Sequence, residues 1–390
     1  MGEIRVESVR NIALVSNVGA GKTSLTEALL YASGAIPTLG SVLQGTTVSD
    51  FEPEELHHHC SASTSLLQFT WNQTAITLVD SPGALSLSGE SLSALRAVDA
   101  VIIVLNPGAG VRTELARLWH RVRELDLPCL VFVNGLDKEG ASFDAALDLC
   151  KTQLECVPIP MVLPARSGSG CDSVIDLLDE TLIRSGCSSP KVERAAVPPE
   201  MEQAVKHARK QLIEAVAERD EGLLNRYLEQ GDLSRDQLVE GLRSDILTRQ
   251  FLPVYAGSAL RNVGVWSLLN ACVSLLPSPA ERTAIHPVPG IHPETGQPCL
   301  PTLGFTAMML RPGEQVRPPL RSASAVFHVI SGRGVSTVDG RRHAWGPRDT
   351  FSAPVFAEIA HEAVGGPAFL MRIHDAPLQE KLGFYEERAP

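Results

Sequence analysis

An apolar run from Ile12 to Val15 leads directly into Ser16-Asn17-Val18-Gly19-Ala20-Gly21, then Lys22-Thr23-Ser24, and Leu25, Ala28, Leu29 and Leu30 follow at helical spacing. Few folds accept that order: it requires a buried parallel strand, a tight glycine-bearing turn and the first turn of a helix. Successive backbone N–H groups in such a turn point inward, and the helix dipole adds partial positive charge, so the turn is built to cradle phosphate. Lys22 reaches toward the outer phosphates and the Thr23 hydroxyl toward Mg²⁺. The consensus is G-x-x-x-x-G-K-[ST]; Ser16 stands where its first glycine belongs. The bland alternative is an ordinary strand–turn–helix with a chance Gly-Lys-Thr.

The chain has 390 residues, enough for two or three domains, and 44% hydrophobic content supports large cores. Formal net charge is −11. From Ile285 onward acid and base balance at 10 each, so the excess acid lies in the earlier part. A surface of that sign, with no basic run, argues against a default nucleic-acid binder. The eight cysteines form no C-x-x-C pair, and several sit in apolar runs such as Pro128-Cys129-Leu130-Val131. They read as reduced thiols of a cytoplasmic protein. Glu3, Arg5 and Glu7 interrupt any leader-like start, and the longest apolar runs are too short to span a bilayer, so no membrane role is expected.

Polar residues 40–55 read as a loop, followed by Leu56-His57-His58-His59-Cys60-Ser61. Adjacent residues on a loop seldom converge on one ion, so a solvated loop is favoured there over a metal site. Leu66–Trp71 and Ala75–Asp80 read as a hairpin. It ends in Asp80-Ser81-Pro82-Gly83, where a carboxylate can hold a magnesium ion through water and the Gly83 N–H can touch a terminal phosphate. Ser91–Val98 reads as a helix, Asp99–Leu105 as a buried strand, and Arg112–Leu125 as an amphipathic helix with Leu115, Leu118, Trp119 and Val122 on its core face. Pro128–Asn134 is the next strand, closing on Asn134-Gly135-Leu136-Asp137. There a carboxylate can accept two N–H bonds from a guanine edge while the Asn ties loops together.

The character changes from Phe143 to Arg249. Ala145–Cys156, Val174–Ile183, Glu200–Gln230 and Ser234–Thr248 read as helices and Cys187–Pro199 as a linker, the pattern of an inserted helical subdomain spanning about 143–250. Phe251–Tyr255 reads as a strand returning to the sheet, followed by Gly257-Ser258-Ala259-Leu260, small enough for backbone N–H groups to approach a base. Val263–Leu276 reads as the last helix before Pro277-Ser278-Pro279.

The ordered set of phosphate loop, loop hydroxyl, D-x-P-G, N-x-x-D and G-S-A-L, continuous from about Val9 to Pro279, resembles the GTPase part of bacterial elongation factor G, in particular its paralogue-like branch. The resemblance implies an α/β P-loop GTPase that binds GTP or GDP with Mg²⁺. Its nucleotide set falls on Asn17, Gly19, Ala20, Gly21, Lys22, Thr23, Ser24, Asp80, Gly83, Asn134, Asp137, Ser258, Ala259 and Leu260. The metal set falls on Thr23, Ser61 and Asp80. A link to the ribosome or translation machinery is also implied. Five positions depart from the common family pattern. Ala84 stands where a water-orienting residue, commonly His, is expected, and His58-His59 where an Arg-Gly pair precedes the switch hydroxyl; Gly135 replaces the usual Lys and Gly19 a common Asp. With no proton acceptor at Ala84, slow hydrolysis is expected and no catalytic residue is assigned.

Residues 1–284 therefore read as the nucleotide-binding domain and 285–297, rich in Pro, Gly and His, as a linker. In 298–390, Leu303–Leu310, Ser324–Ile330, Val335–Val338, Asp349–Phe351 and Ala368–Ile373 read as short strands between turns, the pattern of a sandwich or small barrel. The segments R-P-G-E, S-A-V-F-H-V-I-S-G-R-G, D-G-R-R-H-A-W-G-P-R-D and L-G-F-Y-E-E resemble a cupin, the metal-free half of gentisate 1,2-dioxygenases. The iron-ligand positions implied by that resemblance fall on Pro319, Arg321 and near Ile359, none of which binds Fe(II). His328 and His361 remain, read as hydrogen-bonded residues inside the barrel. Three roles stay open for this domain: homo-oligomerisation through strand edges, support of the GTPase, or reading of a small molecule that biases the nucleotide state.

Overall fold

The computed structural model describes residues 5–58, 61, 63–84, 88–248, 251–281, 288–289, 300 and 302–388. The chain divides into two compact units, Met1–Leu87 with Val98–Glu281, and Ser88–Ala97 with Arg282–Pro390. Among the described residues no helix is long and apolar enough to cross a membrane.

The first unit is built on a seven-stranded sheet. Its strands are β1 (Val9–Ser16), β2 (Ser65–Trp71), β3 (Thr74–Asp80), β4 (Ala100–Leu105), β5 (Cys129–Val133), Pro158–Pro160 and Leu252–Ala256. Their spatial order is β2-β3-β1-β4-β5, then Leu252–Ala256, then Pro158–Pro160. Every neighbouring pair is parallel except the β2–β3 hairpin. Parallel strands covered on both faces need uninterrupted apolar runs, and β4 and β5 are buried at every position. In the β2–β3 turn Asn72 and Gln73 both take positive φ, 45° and 63°, the backbone of a two-residue hairpin turn whose twist matches that of the strands. Helix α1 (Lys22–Ala32) is buried along nearly its whole length.

The segment inserted after β5 is not purely helical. A four-stranded antiparallel meander occupies Val162–Pro164, Ser173–Asp176, Thr181–Gly186 and Ser189–Ala196, and the helices Glu202–Ala217, Glu221–Gln230 and Arg235–Leu247 follow. The apolar spacing of Val174–Ile183 suits a helix, but the Asp176 carboxylate accepts the N–H groups of Leu178 and Asp179 and Glu180 takes φ 46°. That local turn converts the segment to strand–turn–strand. The expected linker after Cys187 is an edge strand. It is largely exposed and carries no apolar alternation to mark it. Arg209 ties meander to helices, its guanidinium donating to the Leu177, Leu178 and Leu233 carbonyls.

The second unit is all-β apart from the helices Ser88–Arg96 and Ala376–Leu382. One antiparallel sheet orders Val288–Pro289, Gly304–Leu310, Ala368–His374, Ala325–Ser331 and Thr350–Ala353. Another orders Gln315–Val316, Ile359–Ala363, Gly334–Val338 and Arg341–Trp345. A two-stranded ribbon pairs Leu320–Arg321 with Glu387–Arg388. Side chains of both larger sheets share one core, with Leu310, Phe327, Val329, Trp345 and Leu370 at its centre. The expected linker lies outside the described residues except for Val288 and Pro289, which pair with Ala307 and Thr306.

The two histidines of this unit singled out in the sequence differ in placement. His361 is fully buried, its Nδ1 2.7 Å from the Ser336 hydroxyl, which also accepts the Trp345 indole N–H at 2.8 Å. His328 does not lie inside: it is exposed, beside the Thr350 hydroxyl at 2.9 Å. Strand alternation puts Phe327 and Val329 inward and leaves residue 328 on the outer face.

Candidate functional site

The carboxyl ends of β1, β3, β5 and strand Leu252–Ala256 bring the sequence motifs together. After β1 the backbone turns through Gly19 at φ 76° and Gly21 at φ 91°, left-handed conformations that other residues adopt only with strain. Gly21 is also the N-cap of α1 and supplies no side-chain cap. The first N–H groups of the helix, from Lys22, Thr23 and Ser24, therefore face outward without an intrahelical acceptor. A Cβ at residue 21 would overlap the Asn134 side-chain amide, so this glycine is required by packing as well as by φ. Ser16, in place of the consensus glycine, is 1% exposed and folds its hydroxyl onto the Asn17 carbonyl at 2.9 Å, leaving the turn open.

Asn17 contributes differently from the expectation of a phosphate contact. Its side-chain amide donates to the Gly110 carbonyl at 2.7 Å and its Oδ1 accepts the Arg112 N–H at 3.1 Å, so the side chain braces a neighbouring loop. The Lys22 ammonium is paired with the Asp80 carboxylate, and Asp80 Oδ2 accepts the Thr26 hydroxyl at 2.9 Å. Gly83 lies against the same turn: a Cβ there would sit 3.5 Å from the Val18 nitrogen.

Two of the expected metal residues are neighbours. The Thr23 and Ser61 hydroxyls are 3.2 Å apart, and Ser61 donates to Asp50 Oδ1 at 2.8 Å. Asp50 belongs to no motif singled out in the sequence. Its Oδ2 is buried with no partner among the described residues, and burial is the largest cause raising its pKa. Two hydroxyls and the carboxylates of Asp50 and Asp80 are hard oxygen donors, and the orphaned Asp50 oxygen lies among them. This set fits Mg²⁺. Among the described residues no group of three His, Cys, Asp or Glu is placed to hold a metal by itself, in keeping with a site completed by hydroxyls and ligand phosphates. His59 and Cys60 lie outside the described residues. His58 ends helix α2 (Pro53–His58), which falls where the sequence reads as a loop.

Loop 40–61 is held by two buried carboxylates. Glu27, fully buried on α1, accepts the Val48 N–H at 2.7 Å, and Glu55 accepts those of Phe51 and Ser63 at 3.1 Å. Neither belongs to a short motif. Their roles arise only when the loop closes.

The base end is organised by Asn134. Its Nδ2 donates to the Ala20 carbonyl at 2.9 Å and its Oδ1 accepts the Ala259 N–H at 2.9 Å, joining the phosphate turn to the G-S-A-L loop. The Ala259 N–H is thereby committed to Asn134. Ser258 is buried and Leu260 is 58% exposed at the rim. Asp137 Oδ1 is buried with no hydrogen-bond partner among the described residues. An acceptor in that state, beside an Asn-braced loop, calls for a donor pair such as N1–H and N2–H of guanine. At Gly135, where the resemblance leads one to expect Lys, the Lys138 stem lies 3.8 Å from the position a Cβ would take.

A cavity of about 470 Å³ lined by Trp119, Cys129, Cys156, Phe251 and Leu252 lies at the opposite, amino-terminal ends of the central strands. Open parallel sheets bind ligands at their carboxyl ends, so that cavity is not the nucleotide site. Burial pushes the Cys150, Cys156 and Cys272 thiols up to about 12, which leaves them protonated and unreactive.

Residues 7–278 match the family model described as elongation factor Tu GTP binding domain. The chain is 30% identical over 293 residues to "Elongation factor G 2" of Syntrophus aciditrophicus (strain SB), covering 75% of this chain and 43% of that protein. It is 34% identical over 291 residues to "Ribosome-releasing factor 2, mitochondrial" of Anopheles gambiae, covering 73% of this chain and 40% of that protein. A crystal structure of a protein from Thermus thermophilus overlays with a TM-score of 0.66 at 26% identity, covering 93% of this chain and 54% of the other. The chain thus spans about half or less of the length of these relatives.

Proposed function

The chain belongs to the elongation factor Tu-type GTP-binding family, and on that premise we propose that it binds GTP and GDP with Mg²⁺ and hydrolyses GTP slowly. The observation that carries the guanine assignment is the buried, unpartnered Asp137 oxygen beside Asn134. A charge-assisted hydrogen bond there contributes about 1.5–3 kcal/mol, enough to select guanine over adenine. Gly19, Ala20, Gly21, Lys22, Thr23, Ser24 and Gly83 take the phosphates in this reading. Asn134, Asp137, Ser258, Ala259 and Leu260 form the base end.

Thr23, Ser61 and Asp80, with Asp50 behind Ser61, would hold Mg²⁺. When bound there, the ion would supply positive charge against that of the phosphates. The protein's own groups do the rest. The Lys22 ammonium exchanges Asp80 for phosphate oxygen, and the N–H groups of the turn fix the phosphates in line. Gly83 lets the chain approach the terminal phosphate closely. At Ala84 there is a methyl group and no proton acceptor to orient the attacking water. Small GTPases without assistance turn over at only ~10⁻⁴ s⁻¹, and a rate of that order is expected.

The reading of the all-β unit as a metal-free cupin is supported by its strand order. The first and last long strands are neighbours, and, apart from the Gly334–Val338/Arg341–Trp345 hairpin, successive strands pass back and forth between two antiparallel sheets around one core, as in a double-sheet jelly roll. Pro319, Arg321 and Ile359 line a pocket inside it. Domain limits of 1–284, 285–297 and 298–390 accompany this reading. Contact with the translation machinery is proposed from the names of the two relatives alone.

Titration of fluorescent GDP, GTP and ATP, with and without Mg²⁺, tests the binding reading. Saturable GTP binding with ATP excluded is the expected result; equal affinity for ATP would overturn the guanine assignment. Phosphate release under single-turnover conditions tests the rate.

A further inference from the structure

The second unit carries a cationic pocket that its fold does not explain. Along strand Ala368–His374 the inward row reads Ala368, Leu370, Arg372, His374. The first two are fully buried in the core. The same alternation then points a guanidinium and an imidazole inward. In register, Arg372 lies opposite Phe327 and His374 opposite Ala325, both on the core-facing row of their strand. Arg321 enters from the ribbon with Glu387–Arg388. Arg321, Arg372 and His374 line one pocket together with Phe327, Ala353 and Ile359.

The polar atoms of this pocket are poorly satisfied. Arg321 Nε, Arg372 Nε and His374 Nδ1 are buried without hydrogen-bond partners among the described residues. Arg321 reaches Glu387 at 3.5 Å, and that carboxylate also accepts the Tyr385 hydroxyl at 3.0 Å. Asp375, the other nearby carboxylate, is occupied by the Gln379 amide at 3.0 Å. Among the described residues no hydrogen bond or ion pair reaches the Arg372 side chain. Burial first, and the Arg321 charge second, bring Arg372 down to about 10, so it remains a cation at neutral pH. Burial brings His374 to about 4, so it is neutral. Two guanidinium groups thus face an apolar-walled space with one counter-ion between them, at the edge. Both arginines are half-buried with their Nε atoms out of water, a costly arrangement that an anion in this space would relieve.

The size of the space selects the anion. Its volume is about 30 Å³. A single water-sized occupant needs roughly 10–15 Å³ on this measure, so the enclosed space takes about two to three such groups, the size of a carboxylate head. Planar guanidinium forks match the two oxygens of a carboxylate. We propose that the pocket between Arg321 and Arg372 is a binding site for a small organic carboxylate. The guanidinium groups take its oxygens, and Phe327, Ala353 and Ile359 take its carbon end. The site does not depend on the guanine-nucleotide reading.

The test uses the full chain, sodium acetate as probe, and sodium phosphate and sodium chloride at matched ionic strength. Thermal denaturation and calorimetric titration are read for the native protein, Arg372→Met and Arg372→Lys. Acetate is expected to raise the melting temperature of the native protein saturably in excess chloride. Arg372→Met should abolish that rise and melt no lower than the native protein without acetate, since it removes a half-buried guanidinium whose Nε has no partner among the described residues. Arg372→Lys, which keeps the charge and loses the fork, should weaken half-saturation at least about tenfold. Absence of a saturable rise, or a rise unchanged in both variants, overturns the proposal. Phosphate binding more tightly than acetate overturns the carboxylate assignment.

Discussion

The Lys22 ammonium at the start of α1 is ion-paired with the Asp80 carboxylate at the end of β3, and both side chains are almost fully buried. In this state the one cation of the phosphate turn is held by the carboxylate that would otherwise face the metal. On the proposed function, nucleotide phosphate would draw the ammonium away and Asp80 would then be free to hold a divalent ion.

Two outcomes follow for Lys22→Ala. Nucleotide affinity should drop at least about a hundredfold in fluorescent-nucleotide titration, because charge-assisted contacts to the outer phosphates are removed. The nucleotide-free protein should also be less stable by about 3–5 kcal/mol in urea denaturation at neutral pH, since Asp80 is left buried with only the Thr26 hydroxyl. A variant that loses affinity at unchanged stability would show that the pair does not form in solution.

Asp137→Asn replaces an acceptor-only group by one that presents a donor to the guanine N–H pair. GTP affinity should fall about 10- to 150-fold, the equivalent of roughly 1.5–3 kcal/mol. Xanthosine triphosphate, which carries an oxygen where guanine carries an amino group, should gain. Competition titration of the two nucleotides against the native protein and the variant measures both.

The parts of this architecture written in contiguous residues are legible in the sequence. Ile12–Val15 marks β1, Gly19-Ala20-Gly21-Lys22 the phosphate turn, and Asn134-Gly135-Leu136-Asp137 the base end, because each is a local pattern with a local cause. Roles that depend on closure across the chain are not. Asp50 is brought to Ser61 only when loop 40–61 folds onto α1, and Glu27 sits mid-helix, where nothing local distinguishes it from a solvated carboxylate. Within the meander, Val174–Ile183 reads as helix because one Asp side chain, at 176, turns the backbone within an apolar pattern that suits either structure. The pairing of Arg341–Trp345 with Gly334–Val338 has a signal in Asp339-Gly340, whose φ values of 47° and 77° make the hairpin turn, but exposed arginines hide the strand itself.

Ala84→His restores an imidazole where the resemblance expects one. The native protein should hydrolyse GTP at ~10⁻⁴ s⁻¹ in single turnover. A positioned general base or water-orienting group contributes about 10²–10⁴-fold in favourable cases. The variant should therefore gain at least about tenfold, with GTP affinity unchanged. An unaltered rate would place the deficit elsewhere, at the substituted residues 58–59 ahead of Ser61.

The last prediction concerns His361. Burial lowers its pKa from the ordinary 6.5 to about 4, with Arg372 adding a smaller push in the same direction. In the unfolded chain the imidazole takes up a proton near pH 6.5, whereas in the folded chain it resists until about pH 4. Between those values the unfolded state binds more protons, so stability falls as pH is lowered through this window. The stabilisation is fully present above pH 6.5 and is lost progressively toward pH 4, a change of about 3 kcal/mol if the whole shift is realised. His361→Gln keeps a polar group beside the Ser336 hydroxyl and removes the titration. Urea denaturation at pH 7.5, 6, 5 and 4.5, followed by tryptophan fluorescence with Trp71, Trp119 and Trp266 replaced by Phe so that Trp345 alone reports, should show a steeper acid decline with His361 than with His361→Gln. His374 is also lowered to about 4 and is present in both, so the difference between the two curves isolates His361. Parallel curves would mean that the imidazole finds a proton-accepting partner when it is charged.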